Sequence, residues 1–466
     1  MTINPPTTID APTLNKALRA TFESGRTRPL AWRKEQIAGL RRMMEEGDAE
    51  LTEALRQDLG RPSMEAYAAD IGHTKGELRH IAKHVDRWVK PTKVKVPFTV
   101  APAKAWIQPE PLGVALIIAP WNYPIQLLVE PLAAALAAGN CVLAKPSELA
   151  PACSAALARL LPRYVDTDAV TVVEGGVDDT TALLAERWDH IFFTGSTNVG
   201  RVVAQAAAKH LTPTVLELGG KSPTYVHASA DLDVAARRIA WGKFMNAGQT
   251  CIAPDYVLAD RSVRDALVDK LADQIGEFYG ADPQTSTSFG RIVNDRHLSR
   301  LKGLLARGAG TVATGGTIDE TQRYVAPTVT VDPPLDSPVM QEEIFGPILP
   351  VLTVDGPDEA TAFITSRPKP LALYVFAGND AAIDTVVDGT SSGGVCINQT
   401  LMHLLPSDLP FGGVGDSGMG SYHGKTGFDV FSHHKSVLRK PTRPDLKVLY
   451  PPYSGLVEKI VRKVVR

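Results

Sequence analysis

Two residues near the middle of the chain have the types from which covalent chemistry is built. Cys251 ends the run Asn246-Ala-Gly-Gln-Thr-Cys251, after a helical pattern that begins near Asp231 and stops at Gly248. The glycine releases the chain as a loop, so the sulfur is expected between two lobes rather than inside an element. A thiolate there would be a nucleophile; the alternative for any cysteine is a small buried hydrophobe. Cys141, Cys153 and Cys396 fall inside strand or helix patterns and take that second reading. Glu217 stands in Thr214-Val-Leu-Glu-Leu-Gly-Gly220, a strand that otherwise reads as fully buried. An isolated buried carboxylate is costly, so Glu217 is either paired with Lys221 or another cation, or kept for proton transfer.

A third segment, Phe192-Phe-Thr-Gly-Ser-Thr-Asn-Val-Gly200, reads as a strand, a turn with Gly195 and Ser196, and the start of a helix closed by Gly200. Backbone amides at such a helix start can cradle a pyrophosphate, although strand-to-helix turns also use glycine for geometry alone. The segment is neither GxGxxG nor a Walker loop, since Arg201-Val202 stands where Lys and Ser/Thr would be needed. Pro120-Trp-Asn-Tyr-Pro124 and Lys145-Pro-Ser-Glu148 end two further buried strands. Ligands gather beyond the carboxyl ends of parallel strands, which would bring Asn122, Lys145 and Glu148 to the crevice of Gly195. A turn-stabilising role for Asn122 and a solvated loop for Lys145 and Glu148 are the alternatives. No metal site is expected, because His433-His434 has no further ligands at metal spacing and no HExxH occurs.

The elements that must hold these residues follow from periodicity. Residues 13–89 carry apolar positions at helical spacing, such as Ile37, Leu40, Met43 and Met44. Lys90 to Pro111 alternates around Pro97 and Pro102, which predicts an exposed hairpin arm. From Gly113 to Gly220 short apolar runs alternate with helical stretches, the pattern of about five buried parallel strands wrapped by crossover helices. A second α/β block follows, with strands expected at 224–227, 255–258, 324–331, 348–354, 372–376 and 394–397 and helices between them. At the C-terminus Leu456, Val457, Ile460, Val461, Val464 and Val465 fall on one side and Lys459, Arg462, Lys463 and Arg466 on the other. This predicts a short basic amphipathic helix, docked on its own or a partner subunit, with a peripheral membrane contact as the alternative.

Composition narrows the function classes. Across 466 residues, 49 Lys and Arg balance 51 Asp and Glu, so no basic field invites nucleic acid or an anionic membrane. The scattered cysteines form no CxxC pair, which predicts neither disulfide framework nor structural zinc and fits a reducing compartment. The first residues lack a secretory pattern and no apolar run reaches membrane-spanning length, so the expected location is cytoplasmic.

Taken in order, PWNYP (120–124), KPSE (145–148), FTGSTNVG (193–200), LELGGKSP (216–223), NAGQTCIAPDYVL (246–258), QEEIFGPILPV (341–351) and LPFGGVGDSGMG (409–420) resemble the aldehyde dehydrogenase superfamily. The APDYVL continuation and Tyr450-Pro-Pro-Tyr453 are similar to its class 3 branch, which includes fatty, aromatic and coniferyl aldehyde dehydrogenases. The resemblance implies oxidation of a medium- or long-chain aliphatic or an aromatic aldehyde to its acid, with NAD+ as cofactor and NADP+ tolerated. It implies Cys251 as nucleophile, Glu217 as general base, and Asn122 with the Cys251 backbone N–H as oxyanion hole. Glu343 would hold the nicotinamide ribose and Phe345 would border the nicotinamide, with Trp121 a further cofactor-binding residue. Gly195 and Gly200 would flank the turn by the pyrophosphate, Ser196 would be a further cofactor-binding residue, and Lys145 and Glu148 would contact the adenosine ribose. The implied fold is α/β, with a Rossmann-like cofactor domain (1–91 and 111–218), a catalytic domain (219–430), a bridging oligomerisation arm (92–110 and 431–440) and a tail (441–466). A homodimer is the implied assembly.

Overall fold

The computed structural model describes residues 9–445 and 450–464. Helices Ala11–Glu23, Leu30–Glu46, Asp48–Leu59 and Gly72–Trp88 open the chain, the last entered through one π-turn at Tyr67–Ile71. Ile37, Leu40, Met43 and Met44 are all buried, as the helical spacing requires. The arm follows: β1 (Thr92–Val94) pairs antiparallel with β2 (Lys104–Pro111), and a late strand, Ser432–Arg439, pairs along the whole of β2.

The first large sheet is built from β3 (Val114–Ile118), β4 (Cys141–Lys145), β5 (Val170–Val172), β6 (His190–Thr194) and β7 (Thr214–Glu217). They lie parallel in the order β7-β6-β3-β4-β5, so the expected five strands are present. Every residue of β3, β4 and β6 is buried because crossover helices cover the sheet. The chain reverses strand order between β3 and its two neighbours, which opens a crevice beyond the carboxyl ends of β3, β6 and β7.

The second sheet gathers β8 (Pro223–Val226), β9 (Tyr256–Asp260) and β10 (Thr311–Thr314) with later strands. The expected strand at 324–331 is two elements. β11 (Ile318–Asp319) and β12 (Tyr324–Val325) form a separate hairpin, whereas β13 (Thr328–Val331) enters the large sheet. Pro327 separates them; it has no N–H to donate to a ladder. With β14 (Ile348–Val354), β15 (Ala372–Phe376) and β16 (Gly394–Ile397) the order is β10-β13-β14-β9-β8-β15-β16.

The chain then returns to the first sheet. β17 (Gly418–Met419) pairs antiparallel with β7, and Tyr422, Phe428 and Phe431 pack into the core shared with β3, β4 and helix Gln126–Ala138. Residues 418–430, grouped with the 219–430 block from sequence, therefore lie on the other sheet. β17 has only two residues, too few to carry a period. β18 (Ser432–Arg439) completes the arm.

A terminal helix spans Gly455–Val464. Leu456 and Val461 are 70% and 41% exposed, so those side chains are not docked on this chain's own body. Val465 and Arg466, and the side chains of Ile460 and Val464, lie outside the described residues. Among the described residues no helix is long and apolar enough to cross a membrane.

Candidate active site

Cys251 is presented by an unusual piece of backbone. Helix Leu232–Phe244 passes into a short turn in which Asn246 and Ala247 have φ of 52° and Gly248 has φ of 74°. A left-handed residue other than glycine costs of order 1–3 kcal/mol, so the turn must be held by its surroundings. The Asn246 N–H donates to Glu65 at 2.9 Å, and Asn246 Nδ2 donates to the Asn122 carbonyl at 3.0 Å. Gln249 Nε2 donates to the Arg291 carbonyl at 2.9 Å while its Oε1 accepts from the Val293 N–H at 3.0 Å. Beneath them lies Arg61, fully buried, donating to Asp70 at 2.9 Å, to Asn246 Oδ1 at 3.2 Å and to the Asn122 carbonyl. The expected loop position of Cys251 is thus correct, and its neighbour Asn122 is anchored through the same network.

Cys251 stands in the walls of two cavities. The larger, about 690 Å³, lies in the crevice between the sheets and is lined among others by Asn122, Gly195, Ser196, Glu217, Glu343 and Phe345. Trp121 is also part of its wall, its ring edge-on to Phe345 at 5.2 Å. The smaller, about 170 Å³, is walled largely by apolar and aromatic groups, including Tyr123, Leu127, Trp241, Met245, Leu401 and Phe411. One face of the sulfur therefore meets polar and ionisable groups, and the other meets a hydrocarbon-like slot.

Glu217 is the clearest oddity in the larger cavity. It is buried at the end of β7, and neither carboxylate oxygen has a hydrogen-bond partner. Burial raises its pKa well above the ordinary carboxylate value. Pairing with Lys221 is overturned: that ammonium contacts Asp255 and donates to the carbonyls of Val339 and Glu342 at 2.8 Å. Cys251 is likewise pushed up to about 12, by burial first and then by Glu343 and Glu217.

The remaining candidates divide by position. Ser196 caps helix Thr197–Ala208 by accepting from the Val199 N–H, and no acid occupies the helix's first turn. That end suits an anion. Gly200 lies outside the cavity wall; a Cβ there would meet Leu218 at 2.5 Å, so its use is close packing of helix on strand. Lys145 and Glu148 also lie outside that wall, paired at 3.1 Å beyond β4, with Lys145 buried and donating to the Pro146 carbonyl at 3.0 Å. Lys145 is thus not the solvated loop residue of the alternative reading, whereas Glu148 is exposed in the turn after β4.

Glu343 also lines the cavity, and its Oε1 has no hydrogen-bond partner among the described residues. Burial, with Asp255 adding to it, pushes its pKa up to about 7. A Cβ at position 219 would meet its carboxylate at 2.3 Å, so the bare backbone of Gly219 leaves room for the Glu343 side chain where it stands. A cavity of this size with an anion-ready helix start at one part and an unsatisfied carboxylate at another fits a dinucleotide. Arg61 and Arg300 escape sequence reasoning. Arg300 donates to the carbonyls of Glu343 and Ile344 at 3.1 and 2.6 Å, from a helix whose only sequence signal was amphipathicity.

Residues 6–437 match the Aldehyde dehydrogenase family. A Canis lupus familiaris protein, "Aldehyde dehydrogenase, dimeric NADP-preferring", is 49% identical over 93% of this chain and 96% of its own length. "Aldehyde dehydrogenase family 3 member A2" of Rattus norvegicus is 49% identical over 94% of this chain and 90% of its own. Among solved structures, Staphylococcus aureus AldH in a substrate-bound state superposes with a TM-score of 0.96 at 45% identity, covering 100% of both chains.

Proposed function

We propose a reaction course from the premise that the chain belongs to the aldehyde dehydrogenase family, in its class 3 branch, and oxidises aldehydes to carboxylic acids with NAD(P)+. The observation that carries the course is Cys251 in the wall of both cavities, with Glu217, unpaired among the described residues, in the wall of the polar one. The aldehyde reaches the sulfur through the apolar slot. Thiolate addition forms the S–C bond and moves the carbonyl π pair to oxygen. Asn122 and the Cys251 backbone N–H receive that oxyanion, each donor being worth ~3 kcal/mol of barrier. When bound in the polar cavity, NAD(P)+ supplies the hydride acceptor that turns the thiohemiacetal into a thioester. Glu217, once ionised, takes a proton from the water that attacks the thioester carbonyl; the C–S bond breaks and the acid leaves.

In the polar cavity, Ser196 and Gly195 would meet the pyrophosphate and Glu343 the nicotinamide ribose, with Phe345 and Trp121 bordering the ring. Gly200 acts through packing, and Lys145 with Glu148 forms the adenosine end. NAD+ is the preferred cofactor in this reading and NADP+ is accepted, because Lys145 compensates the Glu148 charge. The dog relative's name, NADP-preferring, pulls the other way. The aromatic and aliphatic slot supports medium- or long-chain aliphatic and aromatic aldehydes as substrates.

The assembly proposed is a cytoplasmic homodimer. The three-stranded arm β1-β2-β18, with Val94 and Leu438 exposed, supports the pairing, and the dog relative is named dimeric. The terminal helix then packs near the partner's substrate mouth. The cofactor unit comprises 1–91 and 111–218 together with 418–430, and the rest of 219–430 is the catalytic unit.

The test pairs two variants. Cys251→Ser should abolish aldehyde oxidation while cofactor fluorescence titration still reports binding. Glu217→Gln should give a burst of NAD(P)H followed by slow turnover, as expected when hydrolysis becomes limiting. Near-wild-type turnover of the serine variant, or an unchanged steady rate without burst in the glutamine variant, refutes the course.

A further inference from the structure

His73, Glu130 and His423 arrive from distant parts of the chain: helix Gly72–Trp88, helix Gln126–Ala138 and the residue before helix Gly424–Val430. Their ligand atoms all lie within 4.8 Å of one another. His73 Nε2 is 3.5 Å from Glu130 Oε1, and His423 Nε2 is 3.6 Å from Glu130 Oε2. His73 Nε2, His423 Nε2 and Glu130 Oε1 are buried without a hydrogen-bond partner. Each such atom costs ~1–3 kcal/mol, in a place where hydrocarbon would pack without that cost. His423 further adopts φ of 82°, a conformation that a side-chain-bearing residue seldom keeps unless its surroundings require it. Its ring is fixed by stacking on Phe411 at 5.3 Å and by the edge of Tyr422 at 4.4 Å.

The separations discriminate between two explanations. A hydrogen bond from a ring nitrogen to a carboxylate spans about 2.7–3.2 Å, and the observed gaps are too long for one. Around tetrahedral zinc, with bonds of about 2.0–2.2 Å to nitrogen and oxygen, ligand atoms sit about 3.3–3.5 Å apart. The two separations, one to each oxygen of the Glu130 carboxylate, are close to that value, and the three ligand atoms all fall within 4.8 Å of one another. The nearby Glu77 adds negative charge, its Oε1 accepting from the Gly424 N–H at 2.7 Å. We propose that His73, Glu130 and His423 form a zinc-binding site with three protein ligands and a fourth position open to the apolar cavity that His73 and His423 line. Cys251 borders the same cavity, so the ion sits beside the aldehyde's route; that consequence rests on the proposed course above, and the binding itself does not.

The test uses the full chain carrying Cys251→Ser, which removes the competing thiolate, and reads metal binding rather than turnover. After chelator dialysis it is titrated with Co2+. One equivalent should give the visible bands of tetrahedral cobalt, without a thiolate charge-transfer band, and Zn2+ should displace it. Adding Glu130→Gln or His73→Gln, both close in size to the native side chains, should weaken zinc binding at least tenfold by chelator competition. Absence of binding to the Cys251→Ser chain, octahedral bands, or affinity unchanged in a folded second-site variant overturns the proposal. If both second-site variants fail to fold, the stoichiometry and spectrum of the Cys251→Ser chain decide it. Because no aldehyde is present, a wrong reaction course leaves this outcome untouched.

Discussion

Arg61→Met removes a guanidinium that is entirely enclosed. It donates to Asp70 at 2.9 Å, to Asn246 at 3.2 Å and to the Asn122 carbonyl, and it lies over the Tyr123 ring at 4.6 Å. Breaking a buried pair by deleting one member costs about 3–5 kcal/mol, since the remaining charge has no partner. At ~2.1 cal/mol/K per residue, 466 residues give an unfolding entropy of about 1 kcal/mol/K, so the melting temperature should fall by about 3–5 °C. The pH dependence has a definite sign. Burial pushes Asp70 up to about 6, above its ordinary 3.8, despite the opposing pull of Arg61. A carboxyl raised on folding contributes stability that is full below its unfolded pKa and lost as pH rises through its folded value. Without Arg61 the carboxyl rises further, so the variant's deficit should be smaller at pH 5 than at pH 8. Adding Asp70→Leu should recover at least half of the loss. Thermal denaturation of the wild type, single and double variants at both pH values measures this, and kcat should fall as the turn holding Cys251 slackens. A shift under 1 °C, a larger deficit at pH 5, or a double variant no better than the single would refute the reasoning.

With Glu343 at about 7, its ionised form should accept the ribose hydroxyls; NAD(P)+ affinity should therefore rise about tenfold per unit from pH 5 to 7 and level above. Glu343→Gln should flatten that profile in a fluorescence titration, whereas a flat wild-type profile would count against the ribose role. Glu148→Gln should raise kcat/KM for NADP+ relative to NAD+ by about fivefold, the effect of ~1 kcal/mol of removed repulsion, and no change would detach Glu148 from the adenosine end. Deleting residues 454–466 should alter aldehyde chain-length preference more than short-aldehyde turnover. Unchanged selectivity together with lost liposome binding would favour a membrane role for the tail instead.

Much of the fold is legible because a parallel sheet covered on both faces needs continuous apolar runs, and Val114–Ile118, Cys141–Lys145 and His190–Thr194 are such runs. Their spatial order is not written in any run, and neither is the return of Gly418–Met419 to the edge of β7. The strand expected through Pro327 failed because apolar character persisted across a residue that cannot donate to the ladder. At the site, residue type against context singles out Cys251 and Glu217, and both line the larger cavity. The partner of Lys221 is not singled out that way: Asp255 reaches it from the start of another strand, so local sequence left the choice open. Arg61 and the His73–Glu130–His423 cluster were invisible for the same reason, each assembled from elements that meet only after folding.

The unpaired carboxylates also order the chemistry. Cys251 is held as a thiol by burial and by Glu343 and Glu217, while burial pushes both carboxyls upward. Groups that share one enclosed cavity titrate as a set, because each negative charge raises the free energy of the next. A thiolate and an ionised Glu217 therefore oppose one another. In the proposed course attack needs the sulfur ionised, and a protonated Glu217 would remove a repelling charge from that step. The proposed hydrolysis needs the reverse: in the thioester the sulfur carries no charge, so the carboxyl would release its proton to solvent and then accept one from the attacking water. Among the described residues neither Glu217 oxygen has a hydrogen-bond partner, which suits the proposed alternation, since a fixed partner such as Lys221 would hold it ionised through both steps.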